Sequence, residues 1–408
     1  MSTEIIHESP TLKGAASDYW SRVKAGDIGA LPAILGLVVL CGIFGAMSDV
    51  FLTPGNFANL LTQAAAVIVI AMGLVFVLLL GEIDLSAGFA AGVSGAVLVI
   101  LITNHDVAWY IAFPISIMVG GLLGFILGTL VARVGIPSFV VTLAAFLAFQ
   151  GLLLLLAGEG GTIRIEDKTI LAVQNSNLSP ILSWVFFIVV AVAYVGTGLN
   201  RINNRRRAGL KSELVKLWVI KTTSLLLITG GAVFALTVER SNNPDLVSLK
   251  GIPYVVPLIL FLLAVGTFVL GRTAFGRHIY AVGGNAEAAR RAGINVKRVR
   301  IAAFVICSAL AAVAGMIFAS RQNSISPTTG GSSTLLYAVG AAVIGGTSLF
   351  GGKGKMRDAI LGGLVVAVID NGMGLLGYAA GIKFIVTGLV LLVSAGVDAV
   401  SRRGSSVS

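Results

Sequence analysis

The sequence predicts an all-α protein whose helices cross a membrane, and three observations carry that reading. Of its 408 residues, 56% are hydrophobic and only 12% are charged, against about 25% charged in an ordinary soluble domain. Apolar runs of 16 to 25 residues recur from Leu31 to the C-terminus, long enough to cross a hydrocarbon layer about 30 Å thick. The net charge of +11 sits in short links between these runs, so it reports membrane topology and calls for no polyanionic ligand. Disorder, a secreted disulfide scaffold and a nucleic-acid-binding module are all disfavoured. Cys41 and Cys307 lie inside apolar runs without a CxxC, and His7, His105 and His278 are scattered. Neither set makes a metal site.

In chain order, residues 1–31 mix four acids with three bases and are too long and acidic for a cleaved signal peptide, so they read as a cytosolic tail. Twelve candidate spans follow, at 32–48, 58–80, 86–103, 108–132, 137–157, 181–199, 219–238, 255–270, 302–320, 335–350, 358–377 and 382–400. The runs at 32–48, 255–270 and 335–350 are the short ones and are candidates for tilted or re-entrant segments. Placing both termini inside puts 23 of the 29 basic residues in cytosolic segments and 6 outside, the asymmetry that orients membrane proteins. Residues 32–403 therefore read as one transmembrane domain, with 404–408 as a second cytosolic tail. Within it, 158–180 is a polar outer loop, 200–218 a basic inner one, and the pair 181–238 between them an accessory hairpin beside a ten-span core. Small residues such as Gly120, Gly124 and Gly128 suit close helix packing in lipid.

Four places carry possible mechanism. The loop 271–301 holds a short helix with both ends marked: Asn285 to cap it, Glu287 at the positive end of its dipole, and Gly293 to end it in a left-handed turn. So short a helix needs docking to be stable. Ala286, Ala288, Ala289 and Ala292 give it a small surface for a cleft, with Arg290 and Arg291 adding charge; an ordinary solvated loop is the other reading.

GEIDLSAG (81–88) sets Glu82 and Asp84 between two spans, with Ser86 close behind. Acids two apart do not share a helix face, so Asp84 reads as a helix cap and Glu82 as a partner for an inner basic residue. A break at membrane depth would instead put them on a translocation path. Gly81, Leu85 and Gly88 recur in spacing as Gly345, Leu349 and Gly352, a weak internal echo. Asp370, followed by Asn371, is the acid deepest in a span. It can accept hydroxyl hydrogen bonds from a passing sugar, lock two helices, or sit at an outer mouth. Gln63 and Gln150, also within spans, share the ambiguity. GGTSLFGGKGK (345–355) fails the GxxxxGK[ST] pattern at Thr347 and Gly354, so the chain carries no P-loop.

GRHIYAVGGNAEAARRAGINVKRVR (276–300) resembles the cytosolic loop of permease subunits of bacterial ABC sugar importers of the ribose/xylose/arabinose/galactose branch. GEIDLSAG and AVIGGTSLFGGKG (342–354) match two more signatures of that family in the expected order, from about Asn56 to Arg403. The hairpin region 158–254 and DNGM (370–373) are most similar to the longer xylose-type members. The resemblance implies a homodimeric, multi-pass inner-membrane permease in contact with lipid, moving a monosaccharide by alternating access. It implies a cytosolic ATPase partner that holds ATP-Mg, this chain binding no cofactor, and an extracytoplasmic sugar-binding protein. Gly283, Gly284, Asn285, Glu287, Ala288, Ala289, Arg290, Gly293 and Ile294 would then couple to the ATPase. An ion-coupled secondary sugar transporter is the competing class, and it needs a titratable group in the membrane, for which Asp370, Glu82 and Asp84 are the candidates. An intramembrane enzyme would need a nucleophile with a base, or a metal set, that the sequence does not offer.

Overall fold

The computed structural model describes residues 31–158, 161–208, 215–241, 243–245 and 248–405. Residues 1–30 and 406–408 of the expected tails, and 209–214 of the inner loop 200–218, lie outside them, while 404 and 405, expected in a tail, end the last helix. Every one of the twelve predicted spans is a helix, and eight helices are long and apolar enough to cross a membrane. The chain is an all-α, multi-pass membrane protein that separates into two compact units, the larger comprising 29–177 and 253–399.

The larger unit is built on α1 (Leu31–Met47), α2 (Pro54–Leu78), α3 (Ala87–Thr103), α4 (Trp109–Thr129) and α5 (Ser138–Ala157). After β1 (Ile163–Arg164) and α6 (Lys168–Asn175), the chain leaves for the smaller unit, α7 (Pro180–Arg207) and α8 (Val215–Thr237). It returns with α9 (Val255–Arg272), α10 (Ala274–Gly284), α11 (Ala286–Arg291), α12 (Val296–Gln322), β2 (Ser324–Ile325), α13 (Ser332–Ile344), α14 (Met356–Leu375) and α15 (Ala380–Ser405).

Two long helices, α2 and α12, run antiparallel at the centre, and most of their side chains are buried. Around them the neighbours come in exchanged pairs. α12 packs on α4 and α3, α2 packs on α14 and α13, and α3 meets α4 as α13 meets α14. Helices α2–α4 and α12–α14 therefore form two similar triplets running in opposite senses, an inverted-repeat arrangement. Close approach is achieved with glycine. A Cβ on Gly120, Gly124 or Gly128 of α4 would collide with the backbone of α12 at Ser308, Phe304 and Ile301, so that face can only be small.

α3 and α13 are short, 17 and 13 residues, and their first turns meet in the interior. A Cβ on Gly88 would overlap the Gly330 carbonyl, and one on Gly92 the Thr329 carbonyl. Asp84, just ahead of α3, faces the Cys307 thiol near the middle of α12. Each short helix thus begins inside the bundle after a non-helical stretch, 79–86 and 323–331 respectively. Such backbone is tolerated at membrane depth only when packed in protein.

Several expectations on lengths and loops are corrected. The run at 255–270 lies in an 18-residue helix long enough to cross, whereas that at 86–103 forms a 17-residue helix that falls among the shorter ones. Residues 200–207, expected in a loop, continue α7 for two more turns, because they include Asn and Arg but neither Pro nor Gly. The polar loop 158–180 contains α6, capped by Asp167, whose carboxylate accepts from the Thr169 and Ile170 amides at 2.9 Å. α6 packs on α12, where Gln174 N–H donates to Ser320 Oγ at 3.0 Å, and β1 pairs antiparallel with β2.

In the smaller unit, α7 and α8 pair and leave most of their apolar side chains exposed, as lipid-facing helices do. Gly198 lets the Trp218 ring lie against α7. The following loop is organised by Glu239, which accepts from the amides of Arg240, Ser241 and Leu249 and from Ser248 Oγ. Those hydrogen bonds to the charged form hold its carboxyl down at about 2.

Candidate coupling and translocation sites

At one end of the larger unit α10 and α11 bring the loop 271–301 onto the bundle. Sequence reasoning anticipated α11 but not α10, whose start is marked by Thr273: its hydroxyl accepts from the Gly276 amide at 3.1 Å. Asn285 Oδ1 caps α11 by accepting from the Ala288 amide at 2.9 Å, and Gly293 at φ +85° ends it. The alanine surface divides. Ala289 is buried and Ala286 packs on the core, while Ala288 and Ala292 are exposed beside Glu287, Arg290 and Arg291. Glu287 accepts from Arg290 at 2.8 Å and from Arg291 at 3.1 Å, and these bonds hold its carboxyl below the usual range. The solvent side of α11 is therefore a small charged platform whose other side is anchored.

The anchor is a glycine junction. Gly283, the penultimate residue of α10, lies against the Leu79 carbonyl and the Gly352 amide so closely that a Cβ would overlap the carbonyl. Gly352 N–H donates to Leu79 O at 2.8 Å, and Tyr280 Oη donates to Gly354 O at 2.8 Å. Burial, with the Asp358 charge adding to it, pushes the Tyr280 phenol up. One element thus touches both the 79–86 turn, which leads into α3, and the 345–355 turn, which joins α13 to α14. The echo between Gly81-Leu85-Gly88 and Gly345-Leu349-Gly352 links turns that touch each other; in the exchanged triplets the counterpart of 79–86 is 323–331.

Within the 79–86 turn, Glu82 forms an ion pair with Arg300 of α12 at 3.0 Å. Asp84 is fully buried, and its Oδ1 accepts from Ser86 N–H at 2.8 Å and from Ser86 Oγ–H at 2.6 Å. Ser86 holds the N-cap position of α3, and Asp84 bonds both to it and to the amide of Ala87, the first residue of the helix, so it caps α3 as expected. Ile83 is held to α5 by Ser138 Oγ at 3.2 Å and Thr142 Oγ1 at 3.2 Å.

The second cluster lies toward the other end. Asn371 and Asn56 exchange two amide hydrogen bonds, both 2.9 Å, and Asn371 Nδ2 also reaches Gln63 Oε1 at 3.4 Å. Asp370 pairs with Lys383 at 3.4 Å, within a helix that continues to Leu375. The structure therefore brings together Gln63, Asp370 and Asn371. It separates Gln150, which is exposed on α5, and leaves Glu82, Asp84 and Ser86 at the junction turn. Sequence reasoning missed Asn56, Tyr337 and Lys383. Asn56 stood in the first turn of a span whose start was set four residues late.

Residues 56–395 match the family described as branched-chain amino acid transport system / permease component. The chain belongs to this family. It is 35% identical over 394 residues to the Escherichia coli K12 protein named xylose transport system permease protein XylH, covering 95% of this chain and 96% of that one. The protein of the same name from Haemophilus influenzae is 32% identical over 387 residues, 94% of this chain and 99% of the relative. The ribose import permease protein RbsC of E. coli K12 is 28% identical over 372 residues, 90% and 92% of the two chains. No solved structure matches the chain.

Proposed function

We propose that the chain is the membrane-spanning permease subunit of an ATP-driven importer in the bacterial cytoplasmic membrane. Its cargo is a monosaccharide, xylose or a related pentose, delivered by an extracytoplasmic binding protein. ATP-Mg is held and hydrolysed by a separate cytosolic ATPase subunit, and two copies of the permease form the path. Both termini and the α10–α11 loop face the cytosol, in keeping with the distribution of Lys and Arg. Full-length similarity to permeases named for xylose and ribose supports the sugar.

The observation that carries the mechanism is the anchoring of α11. Its charged side is free to meet a partner, while α10 behind it touches the turn that leads into α3 and the turn that leaves α13. Closure of an ATPase dimer against Glu287, Arg290 and Arg291 would move α10 as a lever. Backbone contacts at Gly283 would pass that movement to α3 and α13 together, switching access by a rigid-body change. Glu82, Asp84 and Ser86 keep the 79–86 turn stiff enough to transmit it. No residue of this chain makes or breaks a covalent bond in the cycle.

The test is uptake of labelled xylose in vesicles, with and without the ATPase and binding protein, comparing ATP with an imposed ion gradient. Uptake that requires both partners and ATP is expected. Gradient-driven uptake by this chain alone would overturn the reading in favour of a secondary transporter. Within the working system, Glu287→Lys, which reverses the charge of the platform, and Gly293→Val, which strains a left-handed residue, should uncouple ATP hydrolysis from uptake in a folded permease. Normal uptake in both would remove α11 from the mechanism.

A further inference from the structure

Gln63 of α2, Tyr337 of α13 and Asp370 of α14 line one cavity of about 40 Å³ that opens at its mouth, with small apolar walls at Ala64, Val366 and Ala367. Polar groups inside a membrane bundle are costly unless paired with each other, with water or with cargo. The Asn56–Asn371 pair behind the cavity is self-satisfied. The lining groups are not. Gln63 has its oxygen engaged by Asn371, and its amide nitrogen has no partner among the described residues. The Asp370 carboxylate is 44% exposed, with the Lys383 ammonium at 3.4 Å and the Arg321 guanidinium as a second positive charge acting on it. The Tyr337 ring lies beside Phe384 with centroids 6.1 Å apart.

We propose that this cavity is a binding station for a neutral monosaccharide on the translocation path, held by the Gln63 amide and the Asp370 carboxylate against the face of Tyr337. The assignment rests on the sugar-permease reading above and adds where the sugar pauses.

The chemistry selects a polyol. Adjacent sugar hydroxyls can donate to both carboxylate oxygens while accepting from the Gln63 amide and the Lys383 ammonium. The C–H face of a sugar ring is apolar and covers an aromatic face well. A lone cation would compete with Lys383 and Arg321 for Asp370, and a lone anion would compete with Asp370 for them. A zwitterionic amino acid would have to separate the pair and substitute its own charges, whereas a polyol bridges the pair intact. The three lining residues come from α2, α13 and α14, so the station spans both inverted triplets. Their relative movement would therefore open or close it.

The test places a cysteine on the wall, Ala367→Cys, in the complete transporter reconstituted in vesicles. The rate of maleimide labelling is measured above the background of the two native cysteines. Xylose should slow labelling by about fivefold at about four times its Kd. Valine should not, and adding Asp370→Asn or Gln63→Leu should abolish the protection. Absence of protection by xylose, equal protection by valine, or protection that survives both substitutions would overturn the proposal. ATP-driven xylose uptake is measured in the same vesicles. Uptake without protection sinks the station alone, whereas no uptake with both partners and ATP sinks the permease reading with it.

Discussion

The two ends of the central bundle are held together by opposite means. At the α10 junction the contacts are backbone on backbone: Gly283 against Leu79 O, and Gly352 N–H on Leu79 O at 2.8 Å, with no side chain between them. Around Asn371 the contacts are side chain on side chain, with amides and an ion pair reaching across a cavity. A backbone junction has no rotamers to absorb a displacement, so it transmits movement. An amide cluster can re-pair with water or hydroxyls at little cost, so it can yield. A stiff driven end and a yielding receiving end are what a machine that converts a push into a change of access needs.

The largest expected effect comes from making the stiff end misfit. Gly283→Val adds three carbons where even a Cβ overlaps Leu79 O. Such overpacking costs about 1–3 kcal/mol, and here the strain falls on the contact that passes the movement on. Uptake should fall by more than about tenfold, a change equivalent to about 1.4 kcal/mol, while α11 and its platform persist. Uptake within twofold of wild type, in a variant shown by gel filtration to be folded, would mean that the junction is passive.

The amide pair gives the next effect and a sharper contrast. Asn56→Leu or Asn371→Leu alone leaves a buried amide unpaired, at about 1–3 kcal/mol. Replacing both removes that orphan, although Phe51 O and Gln63 Oε1 lose their donors, so the double variant should lose less in unfolding temperature than the sum of the two single ones. Strictly additive losses in thermal unfolding would show that the two amides act independently, and the yielding end would lose its centre.

Most of the architecture was readable because a lipid-spanning helix must satisfy its backbone internally and announces itself by length and apolarity. All twelve runs are helical, eight of them in helices long and apolar enough to cross. What escaped was decided by tertiary contact. The first turns of α3 and α13 meet where Gly88 lies against Gly330, and nothing local to either segment marks that encounter. α6 and α10 were missed although Asp167 and Thr273 are ordinary caps, since polar sequence between spans reads as loop. The coupling helix was legible through Asn285 and Gly293, whose roles are local. The cavity was half legible. Gln63 and Asp370 stand out as polar residues in apolar runs, whereas Tyr337 and Lys383 acquire meaning only once α13 and α15 are packed beside them.

The smallest effect probes how dry the stiff end is. Tyr280 Oη donates to Gly354 O, and burial together with the Asp358 charge raises its phenol above the usual value of 10. A phenol whose folded pKa is raised favours the protonated fold. Its contribution is fully present below the unfolded pKa and is lost as pH rises through the folded one. Tyr280→Phe should therefore cost about 0.5–1.5 kcal/mol at neutral pH, seen as a lower unfolding temperature. The gap from wild type should persist through pH 9 and close only above 10, when the wild-type phenol ionises and loses the proton it donates. A gap that stayed constant through pH 11 would mean that folding leaves the phenol's hold on its proton unchanged, as free access of water would, and the junction would then be no stiffer than the amide cluster at the other end.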